Sequence, residues 1–596
     1  MVWLGKQGPR FIRPIRWVTA VLGEGKSASV VPFEVAGVRA GNGTFGHRSY
    51  SRHAISVTGF KDYRTKLAKA RVEIGPEERR ARFKAQVKLL LETKNLRVPE
   101  DRELEDWVVN SVEWPHAILG EFDPRFLALP REILIAVMRG HQKYFAVEDS
   151  TGKLEPRFVT ILNREDDPKG LIRAGHERVL RARFTDAEFF WDTDQKAPLR
   201  DRMPLLERVT YHEKLGSYAA KVRRVEQIAK AIADLWVNQG LISEDKIELI
   251  SAAVRLSKCD LTTQMVQEFP ELQGVVGGLY AQAQAEPQEV ADAVYDHYRP
   301  AGLQDEGPRS PIGRAASLAD KIDAVSSGFA VGLAPSGSSD PFGLRKQASG
   351  VIKALLASEI SLDLKPLIRA AINGLNKPDL SSETSKLLSV MSGVADFFRE
   401  RVAYYLDSVD GIRYDTIRAA VLASGEPNVW NVFGDDPLNI RERAVQCERN
   451  RNDARFLSLC AAAKRIRNIL TKSAAGSEAL GDAFKMELFE KDEERLLANA
   501  LTDVVPQAKD LARKREFGRA LLTISELSQP VDRFFDSVMV MVEDVKVREN
   551  RLRMLNYLNG VCGAIVDFSQ IVAEEASVSA APKAKGSTAL ERDAEH

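Results

Sequence analysis

The stretch QPVDRFFDSVMVMVEDVKVRENRLRMLNYL (529–558) carries two apolar rows in succession. Phe534, Val538, Met541 and Val545 recur at helical spacing, and Leu552, Leu555 and Leu558 resume that period further on. Lys546, Arg548, Asn550, Arg551 and Arg553 lie between and beside them, which puts a basic-polar cluster at a junction between helices. By itself such a cluster reads as a solvated turn of a helical bundle. With single-stranded RNA as ligand, its arginines would pair with phosphates and stack on unpaired bases.

Upstream, the same helical style reaches back to about residue 200. VRRVEQIAKAIADLWVNQG (222–240) puts Val225, Ile228, Ile232 and Leu235 on one face and stops at Gly240. The Gly/Pro/Asn/Asp-rich stretch SGEPNVWNVFGDDPLN (424–439) separates this block from a second helical one. Before residue 200 the pattern is mixed. RFIRPIRWVTAVLG (10–23) and SVVPFEVAGVRA (29–40) read as strands, and KYFAVED (143–149) with RFVTILN (157–163) reads as a β pair turning near Ser150–Gly152. EERRARFKAQVKLLLETKN (77–95) between them has helical spacing.

The expected architecture is therefore multidomain α+β, and 596 residues carry about four domains. They are an N-terminal mixed α/β region (1–198), a central all-α domain (199–365), a helical linker region (366–440) and a C-terminal helical bundle (441–575), followed by a polar, aromatic-free tail (576–596) expected to be disordered. Net charge is +1, so any polyanion contact must come from local patches. One is the first 72 residues, where 13 Lys and Arg face only Glu24, Glu34 and Asp62. Cys259, Cys447, Cys460 and Cys562 are scattered without a CxxC and read as apolar fillers in a reducing compartment. The start lacks a signal-peptide core, and no apolar run is long enough to span a bilayer, so a cytoplasmic location is expected.

Short motifs give little chemistry. GEGKS (23–27) has Ala20 where a phosphate-binding loop needs glycine and runs into a β-type segment, so it predicts a hairpin turn. In GNGTFGHR (41–48), Gly46 is expected to supply a tight turn, with His47 and Arg48 free for polar contacts. In PSGSSDPFGLRKQ (335–347), Asp340 is expected to cap a helix with Pro341 at its first position. A helical stretch holding His212, Lys258–Cys259–Asp260 and Asp320 resembles the HD hydrolases, in which a His, a His-Asp doublet and a later Asp surround a metal. Cys259 stands where the doublet's histidine belongs, so an HD-like fold without hydrolase chemistry and without a metal is expected.

Longer segments carry a family likeness. PVDRFFDSVMVMVEDVKVRENRLRMLNYL resembles the end of the helical anticodon-binding domain shared by arginyl-tRNA synthetases and bacterial glycyl-tRNA synthetase β subunits. RFIRPIRWVTAVLG with GTFGHR, LPREILIAVMRGHQKYFAV (129–147), ARFTDAEFFWDTD (182–194), LSKCDLTTQMVQEFPELQGVVGGLYA (256–281) and DKIDAVSSGFAVGLAPSGSSDPFGLRKQASGVIKALL (320–356) are similar to the β subunits specifically. The resemblance runs in order from about residue 10 to 570 and implies a chain that binds tRNA for glycine, at its anticodon and body, within a tetramer of two α and two β subunits. It implies that ATP and magnesium act through the α subunit, that this chain holds no cofactor or catalytic residue of its own, and that the Asp532–Arg553 segment touches the anticodon region, with Lys546, Arg548, Asn550, Arg551 and Arg553 as the candidate contacts. It also implies that a first segment usual in the family is missing before RFIRPIRW. The alternatives are a metal-dependent HD-type phosphohydrolase and a free-standing tRNA-binding protein.

Overall fold

The computed structural model describes residues 15–35, 37–375, 384–423, 435–473 and 483–572, so the 576–596 tail and part of the 424–439 break lie outside the described residues. The chain forms two compact units, one from residues 1–210 and 255–295 and the other from residues 211–254 and 296–596. The interval 199–365 contributes to both.

The first unit is built on a four-stranded antiparallel sheet in the order Leu96–Arg97, Phe145–Asp149, Leu154–Asn163, Pro115–Glu121. The expected β pair is its centre. Alternation in the Leu154–Asn163 strand sends Phe158 to one face and Val159 to the other. Val159 meets Phe83, Leu91, Leu104 and Val108, from the helices Pro76–Glu92 and Arg102–Ser111. Phe158 meets Ile133, Val137, Leu180 and Phe184, from the helices Arg131–Gln142 and Leu171–Asp194. Gly120 is paired with Phe158 across the ladder, and a Cβ there would lie 2.4 Å from Phe158 Cζ, so the aromatic ring requires glycine opposite it.

Short ladders precede this sheet. Val21–Leu22 pairs with Ser29–Val30 around the 3-10 turn Gly25–Ser27, which is the hairpin expected of GEGKS. Gly46 departs from expectation. It does not hold a positive φ; instead a Cβ would meet Ala70 Cβ at 2.4 Å and Ser51 Cβ at 2.7 Å, so its role is close packing. His47 beside it is buried, with Nδ1 accepting from Ser49 N, and only Arg48 faces solvent.

Among the described residues the second unit is helical except for one small ladder and an isolated bridge between Ser336 and Ser339. Its central helix, Pro311–Ala330, is buried along most of its length and is rich in Ala, Ser and Gly, so the helices Tyr218–Asn238, Leu344–Leu356, Leu364–Asn373 and Thr384–Ser408 all pack on it. Pro437–Asn450, Ala454–Lys472, Asp492–Arg513, Phe517–Ser525, Ser528–Ser537 and Val545–Ala564 form the C-terminal bundle. The second apolar row of 529–558 is one continuous helix, but the first is not. Helix Ser528–Ser537 ends before Val538, and Met539 and Met541 project from the connection at 73% and 56% exposure. Among the described residues no helix is long and apolar enough to cross a membrane.

Candidate nucleic-acid interface

The Val545–Ala564 helix starts where Asp544 accepts hydrogen bonds from Lys546 N at 2.8 Å and Val547 N at 3.2 Å. Its polar residues do not share one surface. Lys546 is exposed in the first turn, and Arg548 is half-buried, donating from Nη1 to the Val542 carbonyl at 3.0 Å. Asn550 is 1% exposed; its Oδ1 accepts from Lys485 N at 2.7 Å and its Nδ2 donates to Lys485 O at 2.9 Å. Arg551 is 2% exposed, with Nε and Nη2 donating to the two Glu494 oxygens at 2.9 and 3.1 Å and Nη1 to Met539 O. Arg553 is half-buried, 3.5 Å from Glu549. The helix is enclosed by the bundle on most sides, so polar groups at 550 and 551 serve as internal ties.

Arg551 and Glu494 make a fork-to-fork pair. Burial works against the Glu494 charge, but Arg551 and the backbone N–H groups of Lys491 and Glu490 hold its carboxyl below the usual range. Glu494 in turn raises the Arg551 guanidinium above its ordinary value. These two helices and the Met539 loop are thereby fastened through one arginine.

The HD-type trio is divided between the units. His212 sits on the two-stranded ladder Thr210–His212 with Gly216–Ser217 rather than on a helix, a correction that follows from an aromatic and a β-branched residue running into a turn at Gly216, whose φ is +82°. Its Nδ1 accepts from Lys214 N at 3.1 Å, and its ring meets Phe342 edge-on. Asp320, in the same unit, lies 3.0 Å from Lys221 Nζ. Lys221 also reaches Asp323, which Arg224 grips from Nε at 2.8 Å and Nη2 at 3.1 Å. Burial opposes the Lys221 charge, but Asp320, Tyr211 and Asp323 together hold the ammonium above its ordinary value. Asp260 belongs to the first unit, where it is fully buried. Its Oδ2 accepts from Gly274 N at 2.5 Å, ahead of helix Val275–Ala283, and burial pushes its carboxyl up to about 6. Among the described residues no group of three or more His, Cys, Asp or Glu is placed to hold a metal.

All four cysteines are buried and unbridged, and burial pushes the thiols of Cys259, Cys447 and Cys562 up to about 12. Asp340 accepts from Leu344 N and Arg345 N at 2.9 Å each, but the expected cap is displaced: the helix begins at Leu344 with Gly343, in the left-handed region, at its N-cap position, and Pro341 lies in the turn before it.

Stronger polyanion character lies in a stretch that carries no short motif. Helix Ala454–Lys472, ARFLSLCAAAKRIRNILTK, holds Arg455, Lys464, Arg465, Arg467 and Lys472 and no acidic residue. Its signal in the sequence is the length of an acid-free helical segment, not a short motif.

Residues 1–422 match the family model described as glycyl-tRNA synthetase beta subunit, and residues 459–568 match the one described as DALR anticodon binding domain. The chain belongs to the glycyl-tRNA synthetase β-subunit family. It is 40% identical over 581 residues to the glycine–tRNA ligase beta subunit of Acidobacterium capsulatum, covering 96% of this chain and 79% of that one. It is 37% identical over 563 residues to the protein of the same name from Halalkalibacterium halodurans, covering 94% and 78%, and 38% identical over 545 residues to that of Rhodospirillum centenum, covering 90% and 72%. The family likeness read from the five long segments holds, and it favours the ligase-subunit reading over the phosphohydrolase and the free-standing binding protein. The anticodon-domain match falls on the C-terminal bundle and includes both the basic helix, from Leu459 onward, and the whole of Val545–Ala564.

Proposed function

We propose that this chain is the tRNA-handling subunit of a two-chain glycine–tRNA ligase. Its C-terminal bundle holds the anticodon end of tRNA for glycine, while a separate α subunit activates glycine with ATP and magnesium. The observation that carries this reading is the pair of family matches, one over residues 1–422 and the other over the C-terminal bundle. The functional complex is two α and two β chains. On helix Val545–Ala564, RNA contact falls to Lys546 and Arg548, because Asn550 and Arg551 are spent inside the bundle.

The test is glycylation of a tRNA transcript by the purified chain alone, by the α subunit alone and by both together, with ATP present. Charging is expected only in the mixture. Charging by this chain alone would refute the division of labour, and no gain on adding it to the α subunit would refute the ligase role. Native mass measurement of the mixture checks the stoichiometry.

A further inference from the structure

The basic helix Ala454–Lys472 is asymmetric in a way its packing does not demand. Phe456, Leu459, Ala463, Ile466 and Leu470 are buried on one side. The opposite side exposes Lys464, Arg465, Asn468, Thr471 and Lys472 at helical spacing, with Ala461 at its start. From Lys464 to Lys472 this stripe runs about 12 Å at the α-helical rise.

Several surface cations in this bundle are paired. Arg455 meets Asp453 and Arg467 meets Asp567, Arg515 holds Glu442, and Lys514 holds Asp510. Lys464, Arg465 and Lys472 carry no carboxylate partner among the described residues. Acids that face this helix include Asp453 and Glu526 at Arg455, Asp532, engaged with Ser458 Oγ at 2.9 Å toward its start, and Asp567, taken by Arg467 at its flank. Arg465 lies over the half-buried ring of Phe535 at 4.2 Å, which fixes its guanidinium against an aromatic face. A folded protein gains nothing from three unpaired cations in a row, since they repel one another and forgo helix-stabilising acid partners. A row of fixed donors beside an aromatic face is what an RNA backbone with adjoining bases requires.

We infer that the exposed stripe Lys464–Arg465–Asn468–Lys472 is an RNA-phosphate track, the main electrostatic contact of this bundle with tRNA, and that Arg465 on Phe535 flanks a base. This rests on the proposed tRNA-binding role and goes beyond it, since it moves the contact from helix Val545–Ala564 to a different helix. The binding is to backbone charge, so it is indifferent to anticodon sequence.

The experiment uses the full chain assembled with its α subunit and measures tRNA affinity against salt concentration. The variant Lys464→Ala/Arg465→Ala/Lys472→Ala is exposed at every position, and its melting curve is compared with the parent's. The slope of log affinity on log salt is expected to flatten by about two to three, with affinity down roughly tenfold or more near 0.1 M salt. Lys464→Arg/Lys472→Arg is expected to bind like the parent, and Lys546→Ala to lose less than the triple variant. An unchanged slope in the folded triple variant overturns the track while leaving the tRNA-binding role standing. So does normal tRNA binding combined with loss of the α subunit, which would make the stripe a protein-docking surface. A parent complex that binds no tRNA overturns both readings.

Discussion

Asp260 is fully buried with one oxygen on Gly274 N, and burial raises its carboxyl from 3.8 to about 6. The folded protein therefore holds this proton more tightly than the unfolded chain. That contribution to stability is complete below about pH 4 and is lost as pH rises through about 6, a span on the order of 3 kcal/mol. Asp260→Asn removes the titration and leaves an amide oxygen for Gly274. The melting temperature of the variant relative to the parent should rise between about pH 5 and pH 8, and an equal difference at both would dismiss this account. Arg551→Ala tests the other buried charge. It strands Glu494, which is 0% exposed, and should cost about 3–5 kcal/mol in denaturant unfolding. Restoring most of that loss with Glu494→Gln in the same chain would locate the penalty in the orphaned carboxylate. Both residues show why side-chain roles were less legible in the sequence than elements. The Lys258–Cys259–Asp260 triplet looked like part of a metal site because its spacing is local, while the groups that decide its role, Gly274 and the closed surroundings, arrive from the fold. Arg551 looked like a surface cation because its neighbours in sequence are basic, and its partner lies 57 residues upstream.

At the level of elements, periodicity was a good guide wherever one face of a segment meets a core. The central β pair, the Pro76–Glu92 helix and the stop at Gly240, which has φ +71°, all follow from it. It misled where helices are enclosed or short. The row Phe534, Val538, Met541, Val545 keeps helical spacing across a real break, because the bundle buries Val538 and Val540 from a non-helical connection. Glycines give a sharp test of packing between elements. A Cβ at Gly278 would stand 2.5 Å from Tyr295 Cβ and 2.8 Å from Ala291 O, where helix Val275–Ala283 crosses Gln288–Asp296. Gly278→Ala should cost about 1–3 kcal/mol through forced separation of the two helices. Gly560, inside Val545–Ala564, has nothing within 4 Å of its imagined Cβ. Gly560→Ala should instead stabilise by about 0.5–1 kcal/mol through helix propensity. Denaturant midpoints for the pair check both signs, and a loss at Gly560 as large as at Gly278 would count against the packing argument.

For the whole molecule, helix Pro437–Asn450 is the part that ties distant stretches of the second unit together. Arg443 is buried; its Nη1 donates to Ala420 O at 2.9 Å and Ile565 O at 2.7 Å, and burial pulls it down to about 10. Two turns on, Arg451 donates to Asp415, to Thr416 and to Val572 O, while Asp415 Oδ2 accepts from Val572 N. A chain ending after residue 572 keeps every one of these acceptors, whereas one ending after residue 564 loses Ile565, Phe568 and Val572 together. The chain ending after residue 572 should melt like the parent. The shorter should lose protection from hydrogen exchange across both Tyr414–Val421 and Pro437–Asn450; protection confined to parent levels there would show that these ties are not needed. The same wiring sets an order of events at the ribosome. One acceptor of each arginine, Ile565 O for Arg443 and Val572 O for Arg451, emerges more than a hundred residues after the arginine itself, so a nascent chain paused in between must leave these two bonds unmade and the seat of the final turn open. Synthesis of this half of the protein can run ahead, but its closure must wait for the last strand of chain to come free.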